Sequence, residues 1–357
     1  MREGRHLTLI VPGLFGPLVR GGGDPQAARA ALTAGLDLRA AETLLSRSRG
    51  IPSAESERSP EDLLFACFGH DKAPGSDWPV AAITRRVDKG DPGDDWWLRA
   101  DPVHLRPDMG DLILYEGDRL GLSDDEAKAL GQTVSRHFQA SGWRLEVPHP
   151  LRWYLRMDAP ARIATTPLSM ARSAPVSANL PEGADAADWH RRLNEVQMFL
   201  HDCEVNQKRE SRGDPAVNSL WFWGGGVLPL PRPTTWSKVF GPSAVLRGLA
   251  AASGVDSAAL PAGGEAWLSA ALDPGRYLVA IEDGHIAVRD NDVEIWRAFA
   301  EALNRDWFEP LSRAVEKGRL QTLSVVTDTV CYEARATAWW QRLRRRRPFS
   351  ALAGNAG

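Results

Sequence analysis

The chain has 357 residues, 43% of them hydrophobic and 25% charged, a composition that excludes a disordered or collagen-like polymer. Its 43 basic and 46 acidic residues leave a net charge of −3, with no excess pointing to nucleic acid or an anionic membrane as partner. Cys67, Cys203 and Cys331 lie far apart without a CxxC pair. Neither a disulfide framework nor a zinc knuckle is expected, and a reducing cytoplasm is the default compartment. The length predicts two domains, or one large α/β domain with an insertion.

The apolar run Leu7 to Val11 is too short for a secretory signal and reads as a buried strand entering a Pro-Gly turn. No run of about 18 apolar residues follows that would span a membrane. Gly21-Gly22-Gly23 lacks a following Lys-Ser/Thr and is not a P-loop. Residues 37–49 and 60–68 carry helical patterns. Residues 69–110, rich in Pro, Gly and Asp, read as irregular but packed, because Trp78, Trp96 and Trp97 need burial. Residues 112–115 form a strand, and 123–142 a helix opened by Ser123 and Glu126 at capping-box spacing. Residues 143–148 and 152–157 alternate as strands, and 158–185 read as loop. Trp189, Leu193, Val196 and Leu200 then fall near helical spacing.

SLWFWGGGVLPLP (219–231) reads as a strand interrupted by glycines, 242–254 as a helix and 276–283 as a strand. Residues 292–318 read as a long helix broken near Pro310, and 320–328 as the last strand. Strands separated by helices at both chain ends predict an α/β sheet with an α+β insertion.

The polar residues are densest between 193 and 226. Asn194, Glu195, His201, Asn206, Arg209, Glu210, Arg212 and Asn218 lead into Gly224-Gly225-Gly226. Arginine forks suit carboxylate or phosphate, and glycines let backbone N–H groups approach an anion. The set could hold a small phosphorylated acid, or could be a solvated helix followed by a packed strand.

This stretch resembles the archaeal-type, cofactor-independent phosphoglycerate mutases of the alkaline phosphatase superfamily. The matching residues are Leu193-Asn194-Glu195, His201, Val205-Asn206, Arg209, Gly213, Pro215 and Asn218, with Asp202 where that family has proline. More closely, the chain resembles a proteobacterial group of mutase-like regulatory proteins, the RpfE type. The resemblance implies an alkaline phosphatase-like parallel sheet flanked by helices (1–110 and 220–357) with an inserted α+β substrate-side module (111–219). It implies His149, Arg152, Asn206, Arg209, Arg212 and Asn218 as substrate-side residues, with Arg156 beside them.

The catalytic half departs from the family pattern. There the first strand ends in Asp-Gly, the Asp a metal ligand; here it ends in Pro12-Gly13. In the segment Ile281–Asp292, His285 replaces a ligand Asp and Arg289 a ligand His, and near the end Asp328-Thr329 stands for Asp-His. A guanidinium repels a divalent cation rather than binding it. Asp283, His285, Asp290, Asp292 and Asp328 are weak metal candidates. His6, His70, Asp71, Asp94, Asp95 and His104 are possible substitutes, the last standing among Asp101, Asp108 and Asp111. Asp91, Asp94 and Asp95 lack the twelve-residue calcium frame. Thr33, Thr43 and Ser53 are near the expected nucleophile position, but none sits in a motif. Fourteen tryptophans point to core packing more than to stacking on bases, and Arg344 to Arg347 to a solvated tail.

The expectation is a mutase-like protein with a degenerate dimetal site, no cofactor, and a regulatory or anionic-metabolite-binding role with a phosphorylated small acid as ligand. No nucleic acid or membrane partner is expected; a protein partner is left open. The first alternative is an active, Mn- or Mg-dependent phosphoglycerate mutase. The second is an interaction scaffold that binds no small molecule.

Overall fold

The computed structural model describes residues 4–17, 24–53, 58–108, 110–139, 142–336 and 344–353. The Gly21-Gly22-Gly23 stretch lies outside them. In chain order the strands are β1 (Arg5–Ile10), β2 (Arg49–Pro52), β3 (Trp96–Asp108), β4 (Asp111–Tyr115), β5 (Arg144–His149), β6 (Arg152–Met157), β7 (Ser219–Gly226), β8 (Trp236–Phe240), β9 (Ser257–Ala258), β10 (Gly275–Ala280), β11 (Thr322–Val326) and β12 (Val330–Arg335). No described helix is long and apolar enough to cross a membrane.

Two compact units share these strands: residues 1–68 with 233–357, and residues 69–232. The boundaries differ from those expected at 110 and 220. Residues 69–110 hold a helix, Val80–Asp88, and the 13-residue β3, which pairs with β4, β6 and β7. Four of the prolines and aspartates that suggested irregular chain belong to that strand, Asp101 and Pro102 inside it and Pro107 and Asp108 at its end.

In the first unit the sheet runs β2-β12-β11-β1-β10-β8-β9. Pairings from β11 through β9 are parallel, and β12 and β2 add an antiparallel edge. β1 lies between β10 and β11, with Leu7, Leu9 and Ile10 almost wholly buried. A strand covered on both faces needs a continuous apolar run rather than alternation. The chain leaves β10 on one side of β1 and returns as β11 on the other. This is a switch point of the kind where open α/β sheets place ligands, outside the carboxyl ends of the strands. The predicted long helix is Val293–Leu303, a π-helical turn at Asn304–Phe308, and Glu309–Glu316 with Pro310 in its first turn. The missing N–H of Pro310 is tolerated there. Asn304 fastens the π turn by accepting from Ala41 N (2.8 Å) and donating to the Asp37 carbonyl (2.9 Å).

In the second unit the helices Asp124–His137 and Ala186–His201 bury Phe138, Trp143, Trp189 and Leu193 with Trp153 and Phe222 of the antiparallel sheet. Ser123 and Glu126 form the predicted capping box. Most of the tryptophans pack in cores, with Trp153, Trp267 and Trp296 fully buried.

Candidate functional site

The carboxyl ends of β1, β10 and β11 converge in the first unit. β1 leads through Val11 and Pro12 into Gly13, whose φ of +72° is natural only for glycine. Gly13 N–H donates to Asp328 Oδ1 (3.3 Å), and its carbonyl accepts from Trp296 Nε1 (2.9 Å). A Cβ on Gly13 would lie 2.7 Å from the Gly284 carbonyl group and from His285 N. The loop after β1 therefore closes, backbone to backbone, on the start of the helix Asp283–Arg289.

β10 leads into Glu282, whose Oε1 is shut off from solvent without a hydrogen-bond partner. Burial, then the nearby Glu61 carboxylate, push the Glu282 carboxyl up to about 7, against a hydrogen bond from Ser243. Glu61 belongs to the helix Pro60–Cys67. β11 leads to Thr327, whose N–H donates to the Val330 carbonyl (3.0 Å) in the tight turn to β12.

The weak metal candidates are distributed along this edge. Asp292 caps the helix Val293–Leu303 by accepting from Ile295 N (2.9 Å). Asp328 accepts from Gly13. His285 is buried in the first helical turn and Asp283 is exposed at its start, while Asp290 follows the helix end. Among the described residues, no three His, Cys, Asp or Glu side chains converge closely enough to hold a metal ion. Two divalent cations need a shared set of carboxylate and imidazole donors in open positions. Pro12 supplies none, Arg289 carries the wrong charge, and Asp292 and Asp328 are engaged in fixing backbone. Among the described residues, those at this edge do not fit a dimetal group.

The proposed substitutes lie elsewhere. Asp101 is buried against Arg99 (2.7 Å) and also accepts from Trp153 N and Trp223 Nε1. His104 Nδ1 meets the Ala216 carbonyl (2.8 Å), Asp95 pairs with Arg156 (2.8 Å), and Asp111 binds Leu112 N and Ser177. Burial and the neighbouring cations Arg276 and Arg232 hold the His6 and His70 imidazoles, respectively, below their ordinary value. The Thr33 hydroxyl donates to the Arg29 carbonyl (2.8 Å), and Ser53 N to the Thr329 carbonyl (2.7 Å).

The six substrate-side candidates fall in the second unit, in two groups. Asn206 is buried and bonds the Leu200 carbonyl and both backbone groups of Val217 (2.8–2.9 Å). Arg209, with 0% of its side chain exposed, binds Glu126 (2.7 Å), the Pro215 carbonyl (2.9 Å) and the Leu120 carbonyl. Arg212 joins the same Glu126 (2.5 Å) and Asp214 (3.0 Å). Burial raises the Glu126 carboxyl, but Arg212 and the other donors hold it below its usual range. Asn218 accepts from Leu105 N (2.7 Å) and donates to its carbonyl (2.8 Å), standing in for one more residue of strand pairing. All four hold the fold together.

The second group is different. Arg152 grips Asp88 through two 2.7 Å bonds, with side-chain exposures of 21% and 6%, and Tyr154 donates its hydroxyl to Asp88 (2.5 Å). His149 Nδ1 accepts from Leu151 N (3.1 Å), which leaves the proton on Nε2. Burial, then Arg152, hold this imidazole below its ordinary value. This half-buried His–Arg pair lies at the β5–β6 turn.

Sequence reading missed Asp88, the Arg99–Asp101 pair and the Glu61–Glu282 approach. Arg99 and Asp101 sit two apart on a strand, hence on one face. A charged pair at that spacing among tryptophans is a legible signal of a buried ion pair. The approach of Glu61 to Glu282 spans more than 200 positions and has no local signal.

No family model matches the chain. Over 59 residues it is 42% identical to a 2,3-bisphosphoglycerate-independent phosphoglycerate mutase 2 of Methanothermobacter thermautotrophicus, and over 271 residues 21% identical to a probable enzyme of the same name from Geobacter sulfurreducens. These stretches are 16% and 71% of this chain, but 15% and 64% of the relatives, less than two thirds of either. Its likeness is to the cofactor-independent phosphoglycerate mutases. Among solved structures, a Pyrococcus horikoshii protein superposes over 99% of this chain and 93% of its own, with TM-score 0.55 and 14% identity. A cofactor-independent phosphoglycerate mutase from Thermoplasma acidophilum covers 98% and 95%, with TM-score 0.47 and 16% identity. The mutase-like chain thus has a mixed α/β fold, a mostly parallel sheet flanked by helices together with an antiparallel sheet.

Proposed function

We propose that this mutase-like chain has lost its dimetal centre and acts as a regulatory protein that binds an anionic, phosphorylated metabolite in the cytoplasm, as the RpfE-type resemblance implies. The observation that carries the reading is the close backbone contact of Gly13 with Gly284. It stands where the family resemblance puts a metal ligand, beside Pro12 and on the helix that ends in Arg289. Of the substrate-side residues, His149 and Arg152 suit an anion best. They place an imidazole N–H beside a guanidinium, itself paired with Asp88, on one half-buried surface, whereas Arg209 and Arg212 both share Glu126.

Calorimetric titration of Mn²⁺ into chelator-treated protein, with 3-phosphoglycerate present, tests this. No stoichiometric metal uptake is expected. Uptake near two ions per chain would overturn the reading in favour of an active mutase. Without metal, 3-phosphoglycerate or inorganic phosphate should raise the melting temperature, since a ligand of the native state stabilises it. No shift with either anion would leave the metabolite-binding part without support and favour an interaction scaffold.

A further inference from the structure

The basic run is exposed at Arg344 to Arg346, but it is anchored to the first unit, and Phe349, Ser350 and Leu352 after it are buried. Arg344 donates to the Ser48 carbonyl (3.0 Å), Arg347 N to Ser46 Oγ (2.8 Å), and Arg346 approaches Glu42 (3.5 Å). Glu42 also accepts from Phe349 N (3.0 Å), and Tyr332 donates its hydroxyl to the Leu352 carbonyl (2.5 Å). Phe349 and Leu352 are buried in the core of the first unit. The Phe349 ring packs on Phe15 at 5.4 Å and on Trp296 at 6.5 Å between centroids. Phe15 lies in the loop after β1, and the Trp296 indole holds the Gly13 carbonyl of that loop. The turn Phe349–Ala351 also packs against the helix Pro25–Leu32, which follows the loop in sequence.

We propose that Arg344–Ala353 is a strap that clamps the loop after β1 onto the carboxyl edge of the parallel sheet, and that its release opens this edge. The strap is held by a few polar anchors and by the buried Phe349 and Leu352 side chains, while the sheet beneath is held by parallel ladders. Segments with few buried contacts open with lower free energy than core strands, so the strap can leave without unfolding the unit. The loop would then lose the Phe349 ring from beneath Phe15 and one neighbour of Trp296. The inference concerns the loop's position and holds whatever the ligand proves to be.

Hydrogen exchange of the full chain, followed by mass spectrometry, tests it. Phe349→Ala should speed exchange of the amides of residues 13–16 and of the helix Pro25–Leu32 at least tenfold, with β1 and β10 still protected. Tyr332→Phe keeps the ring beside Phe15 and removes one strap bond; it should speed the same amides about threefold, the effect of a single net hydrogen bond. Unchanged exchange at 13–16 in both variants would overturn the strap, as would uniform loosening of the whole sheet. Should Phe349→Ala fail to fold, the Tyr332→Phe result decides alone.

Discussion

Gly13 and Gly284 meet with no room for a side chain on the first: a Cβ there would lie 2.7 Å from the backbone of the second. Gly13 also has a left-handed backbone, which costs a residue with a side chain about 1–3 kcal/mol before any clash. Gly13→Ala should therefore lower stability by more than 2 kcal/mol (about the middle of that range) in urea unfolding. A loss under about 0.5 kcal/mol, the size of an ordinary surface substitution, would mean that the loop and helix are not in contact.

Restoring the missing carboxylate should not restore a metal. Pro12→Asp leaves Arg289 in place and Asp292 and Asp328 engaged with backbone N–H groups. Equilibrium dialysis with Mn²⁺ should find no tight site in this variant. A stoichiometric ion would show that one ligand was all the edge lacked.

Arg209 is a structural residue in this chain. Its guanidinium is fully buried among Glu126 and two carbonyls, so Arg209→Met removes the donor to the Pro215 and Leu120 carbonyls, while Glu126 keeps Arg212 and Ser123. Leaving a buried acceptor unsatisfied typically costs about 1–3 kcal/mol. Chemical denaturation should show a loss of that size. Near-neutral stability with lost anion affinity would return Arg209 to the ligand site.

Much of the fold was legible because its signals are local. LTLIV announced a doubly buried strand, and Ser123 with Glu126 announced a helix start. β3 was obscured because Asp101 and Pro102 read as loop residues, while tertiary partners (Arg99, Trp153 and Trp223) make Asp101 acceptable within a strand. The candidate site was half legible. The loss of ligand types at Pro12 and Arg289 is what the resemblance to the mutases implies at those two positions. The commitment of Arg209 and Asn218 to the scaffold was not legible, because it depends on Glu126 and Leu105, 83 and 113 positions away.

Arg152 should carry anion affinity that Arg212 does not. Arg152 is half-buried beside His149, whose Nδ1 accepts from Leu151 N and so leaves its proton on Nε2, while Arg212 is exposed and shared between Glu126 and Asp214. Arg152→Met should abolish the thermal shift produced by phosphate, and Arg212→Met should leave it intact. Because Asp88 loses its partner in the first variant, stability without phosphate serves as the reference for each protein. Equal loss in both variants would argue for diffuse electrostatic attraction instead of a site.

Glu282 should make the first unit less stable as pH rises. Its carboxyl moves from an ordinary 4.5 to about 7 in the folded chain, through burial and then the nearness of Glu61. A folded-state value above the unfolded one means that the native state binds the proton more tightly. The group therefore adds no penalty below the unfolded value. The penalty grows between 4.5 and about 7, where only the unfolded chain has released the proton, and is complete above that range. At about 1.4 kcal/mol per unit the full penalty is about 3 kcal/mol. Glu282→Gln removes the charge and keeps an acceptor for Ser243. Relative to the natural chain, this variant should gain roughly 1–3 kcal/mol between pH 5 and pH 8. Urea unfolding at the two pH values measures that difference directly. A gap that stays constant with pH would mean that Glu282 is charged throughout and is stabilised by groups other than Ser243.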